Sequence, residues 1–414
     1  MTKHLPGELL RFLATAGEVA HAQGRRLYLV GGAVRDLLLG RSNLDYDLVV
    51  EGDATLLARQ LARASGDKAR VHARFGTATF RHGDVSIDVA TARRETYSRP
   101  GALPDVTPGG IADDLFRRDF SINAMAIDLT LGSFGRLLDP FAGRDDLNHR
   151  LIRVLHDRSF IDDATRILRA LRYEQRLGFK LEKATETLLR QGTSMLDTIS
   201  GDRVRRETEL NLQEEHPERI LARAEELGVL KAVHPALKGD GWLDGKLREA
   251  SRVAPADTDL FTALLTYNMT AEQSEQVMDR LNIQGGLRRS IMQVHRLKEA
   301  YRGLAAPDLP PSRVFRLLHP YSATAVSACA IACDCPAVRK RLEHYLVELR
   351  HVTTCLDGDD LKELGVEPGP GLGRVLRALL DAKLDGRVST RQGEEVLVRQ
   401  WLADGKGAQL GRDL

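Results

Sequence analysis

Cysteine is scarce in this sequence: four residues in 414, all in the C-terminal half. So few thiols in so long a chain do not build a disulfide framework. Cys329, Cys333 and Cys335 lie close together, but no Cys-x-x-Cys pair or neighbouring His-x-x-x-His completes a metal site. Their Ala- and Val-rich surroundings read as buried, reduced thiols. Long apolar runs are also missing, and none approaches the roughly 18–20 residues that cross a bilayer. The first residues, Met1 to Pro6, lack the basic-then-apolar pattern of a secretory signal, which points to the cytoplasm. There is no surplus of one charge either. Lys and Arg number 60 against 58 Asp and Glu, so any surface for a polyanion must come from local segregation of sign.

What remains is a globular composition, 43% hydrophobic and 29% charged, in a chain too long for one ordinary domain. From about Gly24 to Asp146 the pattern is mixed. Leu27–Val30 reads as a strand meeting the turn Gly31-Gly32, Ala33–Leu39 as a helix, and Asp45–Val50 as a second strand. Three short runs follow, roughly Arg70–Phe75, Thr77–Arg81 and Val85–Ala90, which predict a small, mostly antiparallel sheet. Beyond about Arg150 strand signals nearly vanish. Ile161–Gly178, Lys183–Met195, Asp202–Glu215 and Pro217–Leu227 carry helical spacing, and Pro-containing breakers punctuate the rest. The expected fold is α+β: a head over 1–148, a helical neck over 149–220, and a helical body and tail over 221–414.

Three constellations carry chemistry. In the first, Gly31 and Gly32 stand between a strand and a helix, where backbone can approach an anion and the helix N-terminus adds free N–H groups. Arg35, in the first helical turn, can offer a fork of donors to a phosphate. A plain tight turn explains the two glycines equally well. Asp45 and Asp47 shift that balance, because residues i and i+2 of a strand share a face and their carboxylates repel unless a cation sits between them. Asp88, among apolar neighbours on a later strand, offers a third carboxylate. Such an oxygen set suits Mg²⁺ completed by water and substrate phosphates.

The second constellation is Arg117-Arg118-Asp119-Phe120-Ser121-Ile122-Asn123-Ala124, in which Asp119 can hold an arginine fork and Asn123 can bond a ribose hydroxyl. The third runs from Asp162 to Tyr173 and reads as one helix, with Asp163, Arg166, Arg169 and Arg172 at three-residue steps on one slowly drifting face. Such a face is often only solvated. Yet a carboxylate beside a guanidinium also matches cytosine and adenine, which both present an N–H donor beside a ring-nitrogen acceptor. Uracil and guanine present the reverse. Unpaired buried polar groups cost about 1–3 kcal/mol each, so the pair could discriminate. Further on, Arg203 and Glu207 stand at i, i+4 and could simply pair with each other after a cap at Ser200.

Taken in order, these segments resemble the motifs of the class II tRNA nucleotidyltransferases and bacterial poly(A) polymerases. GG-A-V-R-D followed by D-x-D resembles the polymerase-β-like head motif. The run from Arg117 resembles the second, Asp139–Leu147 the third, Asp162–Tyr173 the E-D-x-x-R motif, and Ile199–Leu210 the fifth. The first acid of the fourth is Asp162 rather than Glu. The resemblance covers about residues 27 to 210. It implies a head-neck-body architecture and two Mg²⁺ ions held by Asp45 and Asp47, with Asp88 beside them. It also implies nucleotide contacts from Gly31, Gly32, Arg35, Arg118, Asp119 and Asn123. Asp163 and Arg166 would act as a protein template, with Arg169 and Arg172 toward the triphosphate. The implied partners are CTP, ATP and the tRNA 3′ end, and the implied reaction is addition of CCA. Addition of CC or A alone, or polyadenylation, stay open, and the segment Tyr97–Pro104 looks more like the A-adding branch. A non-catalytic RNA-binding relative would have lost the carboxylates. Arg288, Arg289, Arg296 and Lys298 cluster in one later helix and could meet RNA phosphates, though each could equally be a solvated charge.

Overall fold

The computed structural model describes residues 5–42, 45–72 and 76–404. By internal packing the chain forms two units, Met1–Pro235 and Ala236–Leu414. The neck therefore packs with the head well beyond residue 220. Helix Pro217–Glu226 is tied to the neck, because Arg223 forms ion pairs with Glu174 and Glu186.

The first unit is built on a seven-stranded sheet. Its strands are β1 (Leu27–Val30), β2 (Asp45–Val50), β3 (Arg70–His72), β4 (Thr77–His82), β5 (Val85–Thr91), and later β8 (Ala126–Asp128) and β9 (Leu137–Leu138). The spatial order is β3-β4-β5-β2-β1-β8-β9, and only the β2–β5 pair is parallel. The sheet is mostly antiparallel, as its short alternating runs predict. Part of the Arg70–Phe75 segment lies outside the described residues. A separate ribbon pairs β6 (Arg93–Thr96) with β7 (Asp105–Pro108).

β1 is an inner strand, flanked by β2 and β8, and is buried along its whole length. Tyr28, Val30, Val49, Ile111, Leu115 and Ala126 pack as one core cluster. Each large side chain buried there stabilises the head by roughly 1.5–3 kcal/mol. Helix α1 (Gly7–Ala22) precedes the sheet, and α2 (Gly32–Leu38) links β1 to β2. α3 (Ala54–Ala64) is started by Asp53, whose side chain accepts from the N–H groups of Thr55 and Leu56. α4 (Ile111–Phe116) leads into a 3₁₀ turn at Ser121–Asn123, and α5 (Gly143–His149) closes the head.

The neck departs from the expected single helix. A short α6 (Ser159–Asp162) stops, Asp163 is extended at φ −140° and ψ 100°, and α7 (Thr165–Leu177) begins anew. The break is chemical: Asp163 Oδ1 accepts from the N–H of Thr165 at 3.0 Å and from its hydroxyl at 2.6 Å, the geometry that starts a helix. α8 (Lys183–Gly192) and α9 (Gly201–Leu212) follow, and Ser200 holds the N-cap position of α9 without a side-chain bond.

The second unit is helical throughout its described part. Helix Ala323–Ala332 is mostly apolar and largely buried, and so are Cys329 within it and Cys333 at its end, whereas Cys335, further on, is exposed. That last point corrects the expectation of three buried thiols. Toward the C-terminus a small core of Leu356, Leu361, Val366, Val375, Leu379 and Val398 is pinned by Glu394. This fully buried carboxylate accepts from the N–H groups of Cys355 and Leu356 and from Lys383. No helix of the described residues is long and apolar enough to cross a membrane.

Candidate active site

Alternation along β2 buries Tyr46 and Leu48 and exposes Asp45 and Asp47. In the parallel register Asp47 lies directly opposite Asp88, and Asp45 opposite Ser86. The hydroxyl of Thr79, on β4, donates to Asp88 Oδ1. Burial pushes the Asp47 carboxyl up, Arg118 draws it down, and the charges of Asp88 and Asp45 push it up again; the upward effects prevail. Asp47 is exposed to water. Among the described residues no group of three His, Cys, Asp or Glu closes around a point. The carboxylates form an open face, a donor set that fits Mg²⁺ because that ion keeps waters and phosphates in its shell.

Asp47 and Asp88 face a cleft of about 720 Å³. Gly32, Arg35, Arg118, Asp119 and Asn123 line it from the head, and Asp163, Arg166, Arg169, Tyr173 and Arg203 from the neck. Gly31, Asp45 and Arg172 are not in that lining. Gly31 has φ +71°, and a Cβ there would fall 2.5 Å from Arg118 Nη1. Its N–H is given to the carbonyl of Met125. The glycine therefore makes room for a guanidinium, which stands between the turn and Asp47. Arg118 is steered there by Asp114, a fully buried carboxylate shared with Arg117 at 2.6 Å and Arg118 at 2.9 Å.

A continuous chain of polar contacts follows. Arg35 is buried, forked onto its neighbour Asp36, and donates to Asn123 Oδ1 at 2.7 Å. Asn123 in turn donates to Asp119 Oδ1 at 3.0 Å, and Arg169 grips Asp119 Oδ2 through Nε and Nη2. Burial opposes the charge of Asp119, but Arg169, Asn123 and Arg166 outweigh it and hold its carboxyl below the usual range. The same pairing, with Asp119 the leading cause, holds the Arg169 guanidinium above its ordinary value. Arg172 turns away from the cleft, buried with Glu207 at 2.6 Å and Asn211 at 3.3 Å. Its place facing a triphosphate is therefore not available.

Asp163 and Arg166 share one wall of the cleft. Arg203 donates to Asp163 Oδ1 at 2.8 Å and does not take the i, i+4 partner Glu207 that its spacing offers. Every hydrogen bond to the Asp163 side chain among the described residues thus falls on Oδ1, and Oδ2 is left to a residue that lines the cleft. Arg166 is buried; Nη2 donates to the carbonyl of Arg117 at 2.7 Å, and Nη1 has no partner among the described residues.

Several lining residues escape sequence reasoning. Glu95 ties together Arg93, Arg117 and Tyr97, whose hydroxyl donates to Glu95 Oε2 at 2.9 Å. Burial, with Glu95 adding to it, pushes the Tyr97 hydroxyl up. The Pro-Gly character around it marks a loop and hides a wall residue. That loop is docked on the neck. Gly101, at φ +71°, packs against Thr198 so closely that a Cβ would lie 2.4 Å from its carbonyl oxygen, and Arg203 donates to the Gly101 carbonyl at 3.3 Å.

In the second unit, helix Gly285–Glu299 carries the four basic candidates. Arg289 and Arg296 are exposed, and Arg288 pairs with Asp279 at 2.6 Å. Lys298 turns inward, donating to the carbonyl of Tyr267 at 2.8 Å and lying 4.4 Å from the centre of its ring. A surface RNA contact does not suit it.

A family model described as the poly(A) polymerase head domain matches residues 27–153. One described as the probable RNA and SrmB-binding site of polymerase A matches 178–240. An A-adding tRNA nucleotidyltransferase of Geobacter sulfurreducens is 36% identical, over 98% of this chain and 48% of its own length. One of Halalkalibacterium halodurans is 32% identical, over 97% of this chain and 94% of its own. A CC-adding tRNA nucleotidyltransferase of Deinococcus radiodurans is 33% identical, over 91% and 89%. The chain spans about half the length of the Geobacter relative and of an Aquifex aeolicus one, covering 48% and 44% of them. Among solved structures, a CCA-adding enzyme in an apo form superposes with a TM-score of 0.83 at 32% identity, covering 97% of both chains. The Thermotoga maritima CCA-adding enzyme complexed with tRNA superposes with 0.76 at 31%, again over 97% of both.

Proposed function

The chain belongs to the tRNA nucleotidyltransferase family, and on that premise we propose that it joins a nucleotide to the 3′ hydroxyl of tRNA and releases pyrophosphate, with CTP and ATP as donors. One observation carries the reading: on one cleft wall stand Asp163, whose Oδ2 takes no hydrogen bond among the described residues, and Arg166, whose buried Nη1 has no partner among them. The exocyclic amine of cytosine or adenine donates to the first, and the ring nitrogen accepts from the second. Uracil or guanine would set oxygen against carboxylate and N–H against guanidinium, leaving buried groups unpaired at about 1–3 kcal/mol each.

The opposite wall supplies the transfer. Asp45 and Asp47 would hold Mg²⁺ with Asp88 beside them, and the ion would neutralise phosphate charge and favour the ionised 3′ hydroxyl. Arg35 and Arg169 reach the triphosphate from the centre of the cleft, and Arg118 reaches it from beside Gly31. Asn123, fixed between Arg35 and Asp119, holds the geometry on which a ribose hydroxyl docks. Exposed Arg289 and Arg296, with other parts of 221–414, bind tRNA phosphates.

For the product, our first reading is complete CCA addition, because one acceptor–donor pair serves both bases. A second reading, addition of the terminal A alone, is favoured by the A-adding relatives at 36% and 32% identity. The test uses tRNA transcripts ending before CCA, after CC and after CCA, each offered single NTPs. Addition of CC from CTP to the transcript ending before CCA, together with addition of A from ATP to the CC-ended one, supports the first reading, and extension only of the CC-ended transcript by ATP supports the second. UTP or GTP incorporation at comparable rates would refute the base-reading pair itself.

A further inference from the structure

Around Tyr173 four guanidinium groups gather. Arg35 lies 5.3 Å from the ring centre, Arg169 5.6 Å, Arg172 5.9 Å and Arg176 6.0 Å. Arg169 and Arg176, four before and three after Tyr173 on α7, share its helix face, whereas Arg35 arrives from α2 in the head. Four like charges at this spacing repel, and acids offset them: Asp36 pairs with Arg35, Asp119 with Arg169, Glu207 with Arg172 and, at 4.0 Å, with Arg169 too, and Glu214 with Arg176. Among the described residues no single acid reaches all four arginines. The ring has all four within 6.0 Å of its centre. It is itself fixed edge-to-face by Phe120, which is fully buried, at 5.9 Å and 80°.

We propose that Tyr173 is the positioning residue of the phosphate pocket, its π-face keeping Arg35 and Arg169 at the spacing a triphosphate requires. Arg35, Arg169 and Tyr173 line the cleft, while Arg172 and Arg176 do not and form a back row. An entering triphosphate competes with Asp36 and Asp119 for the two front guanidiniums. As those acid contacts loosen, the ring face, negative in its quadrupole, still attracts each cation. The head arginine and the neck arginine thus keep their separation through the exchange. This inference rests on the nucleotide reading given above and adds to it a residue that touches no reacting atom.

The test uses the full chain and tripolyphosphate, which has the phosphates of the substrate and no base. Tyr173→Phe keeps the ring and loses only the 3.4 Å contact with Arg169; it should bind tripolyphosphate within about two-fold of the unaltered protein. Tyr173→Leu should weaken binding about ten-fold and raise KM for CTP and ATP alike, leaving the preference for them over UTP and GTP unchanged. A series of phenylalanines at 173 bearing one, two and three ring fluorines keeps size and drains the ring quadrupole. Binding should fall stepwise along it to about ten-fold. An affinity flat across the fluorine series overturns the proposal, whether or not the Leu variant folds. Loss in the Phe variant equal to that in the Leu variant overturns it too, since the hydroxyl would then be the active part. If the unaltered chain fails to bind tripolyphosphate at all, the nucleotide reading falls and this one falls with it.

Discussion

The two walls of the cleft solve opposite problems. On the head side, Asp45, Asp47 and Asp88 stand exposed on adjacent strands, with like charges facing each other and room left for what must come and go. On the neck side, Arg166 is buried and Arg169 half-buried, each committed to a named oxygen before any ligand arrives, with Arg172 buried behind them on Glu207. A wall that handles a cation and leaving pyrophosphate gains from openness. A wall that must tell one base edge from another gains from being dry and already arranged, because only there does an unpaired polar group cost enough to reject.

The contrast can be broken from either side. The largest effect is expected on the open wall: Asp47→Ala or Asp45→Ala should lower transfer at least ~10³-fold, equivalent to about 4 kcal/mol of transition-state stabilisation, while NTP and tRNA binding stay close to normal. Single-turnover rates alongside equilibrium binding measure this, and near-normal turnover in Mg²⁺ would refute the carboxylate assignment. Next comes the closed wall. Arg166→Ala should reduce kcat/KM for CTP and ATP about 10- to 100-fold, the worth of a buried donor, with no change in metal dependence. Parallel incorporation of all four NTPs checks it.

Asp163→Ala should act more mildly on rate and more visibly on choice. UTP or GTP should begin to compete, and the fold should lose about 1 kcal/mol because Thr165 and Arg203 lose their shared acceptor. An unchanged base preference would place the template elsewhere. The smallest effects lie outside the cleft. Arg289→Ala or Arg296→Ala should weaken tRNA binding slightly and lower the slope of log K against log salt by about 1 each, leaving KM for NTP untouched. Lys298→Ala should leave that slope alone and lower the melting temperature instead, since Lys298 serves Tyr267. A salt-slope change with Lys298→Ala would refute its inward role.

How much of this is legible in the sequence depends on the range of the interaction. β1 and β2 follow from Leu27–Val30 and from the alternation of Asp45–Val50, because side-chain direction along a strand is a local property. The face shared by Asp45 and Asp47 is legible for the same reason, but the register that sets Asp88 against Asp47 is not, since it depends on pairing across forty residues. The break at Asp163 is hidden by counting three-residue steps, though Asp163 and Thr165 just before an apolar periodic run carry a helix-start signal that counting passes over. Spacing offers Arg203 a partner at Glu207, and the fold gives it Asp163 instead. Arg172 and Lys298 show the limit of charge patterns: a helical step places a side chain on a face without saying whether that face meets solvent or a neighbour. Tyr97 and Tyr173 are missed because an aromatic in a loop or among arginines has a bland core reading.

Asp163 divides its labour between its two oxygens, and that makes the residue a letter with an orientation. Oδ1 belongs to the fold, where three donors from Thr165 and Arg203 converge on it; Oδ2 belongs to whatever enters. An asparagine at this place would not be free to flip. The same three donors would claim its carbonyl oxygen and turn its NH₂ group into the cleft. Half of the pocket's alphabet would then be inverted, calling for a carbonyl where it had called for an amine, while Arg166 went on asking for a bare ring nitrogen. In the orientation that sets the exocyclic group against residue 163 and the adjoining Watson–Crick ring nitrogen against Arg166, no standard base fits: neither the donor–acceptor edge of cytosine and adenine nor the acceptor–donor edge of uracil and guanine would satisfy it. Asp163→Asn should therefore spell no word at all, keeping the helix start and silencing all four nucleotides, and a second inversion at 166 would be needed before the protein could read the opposite pair.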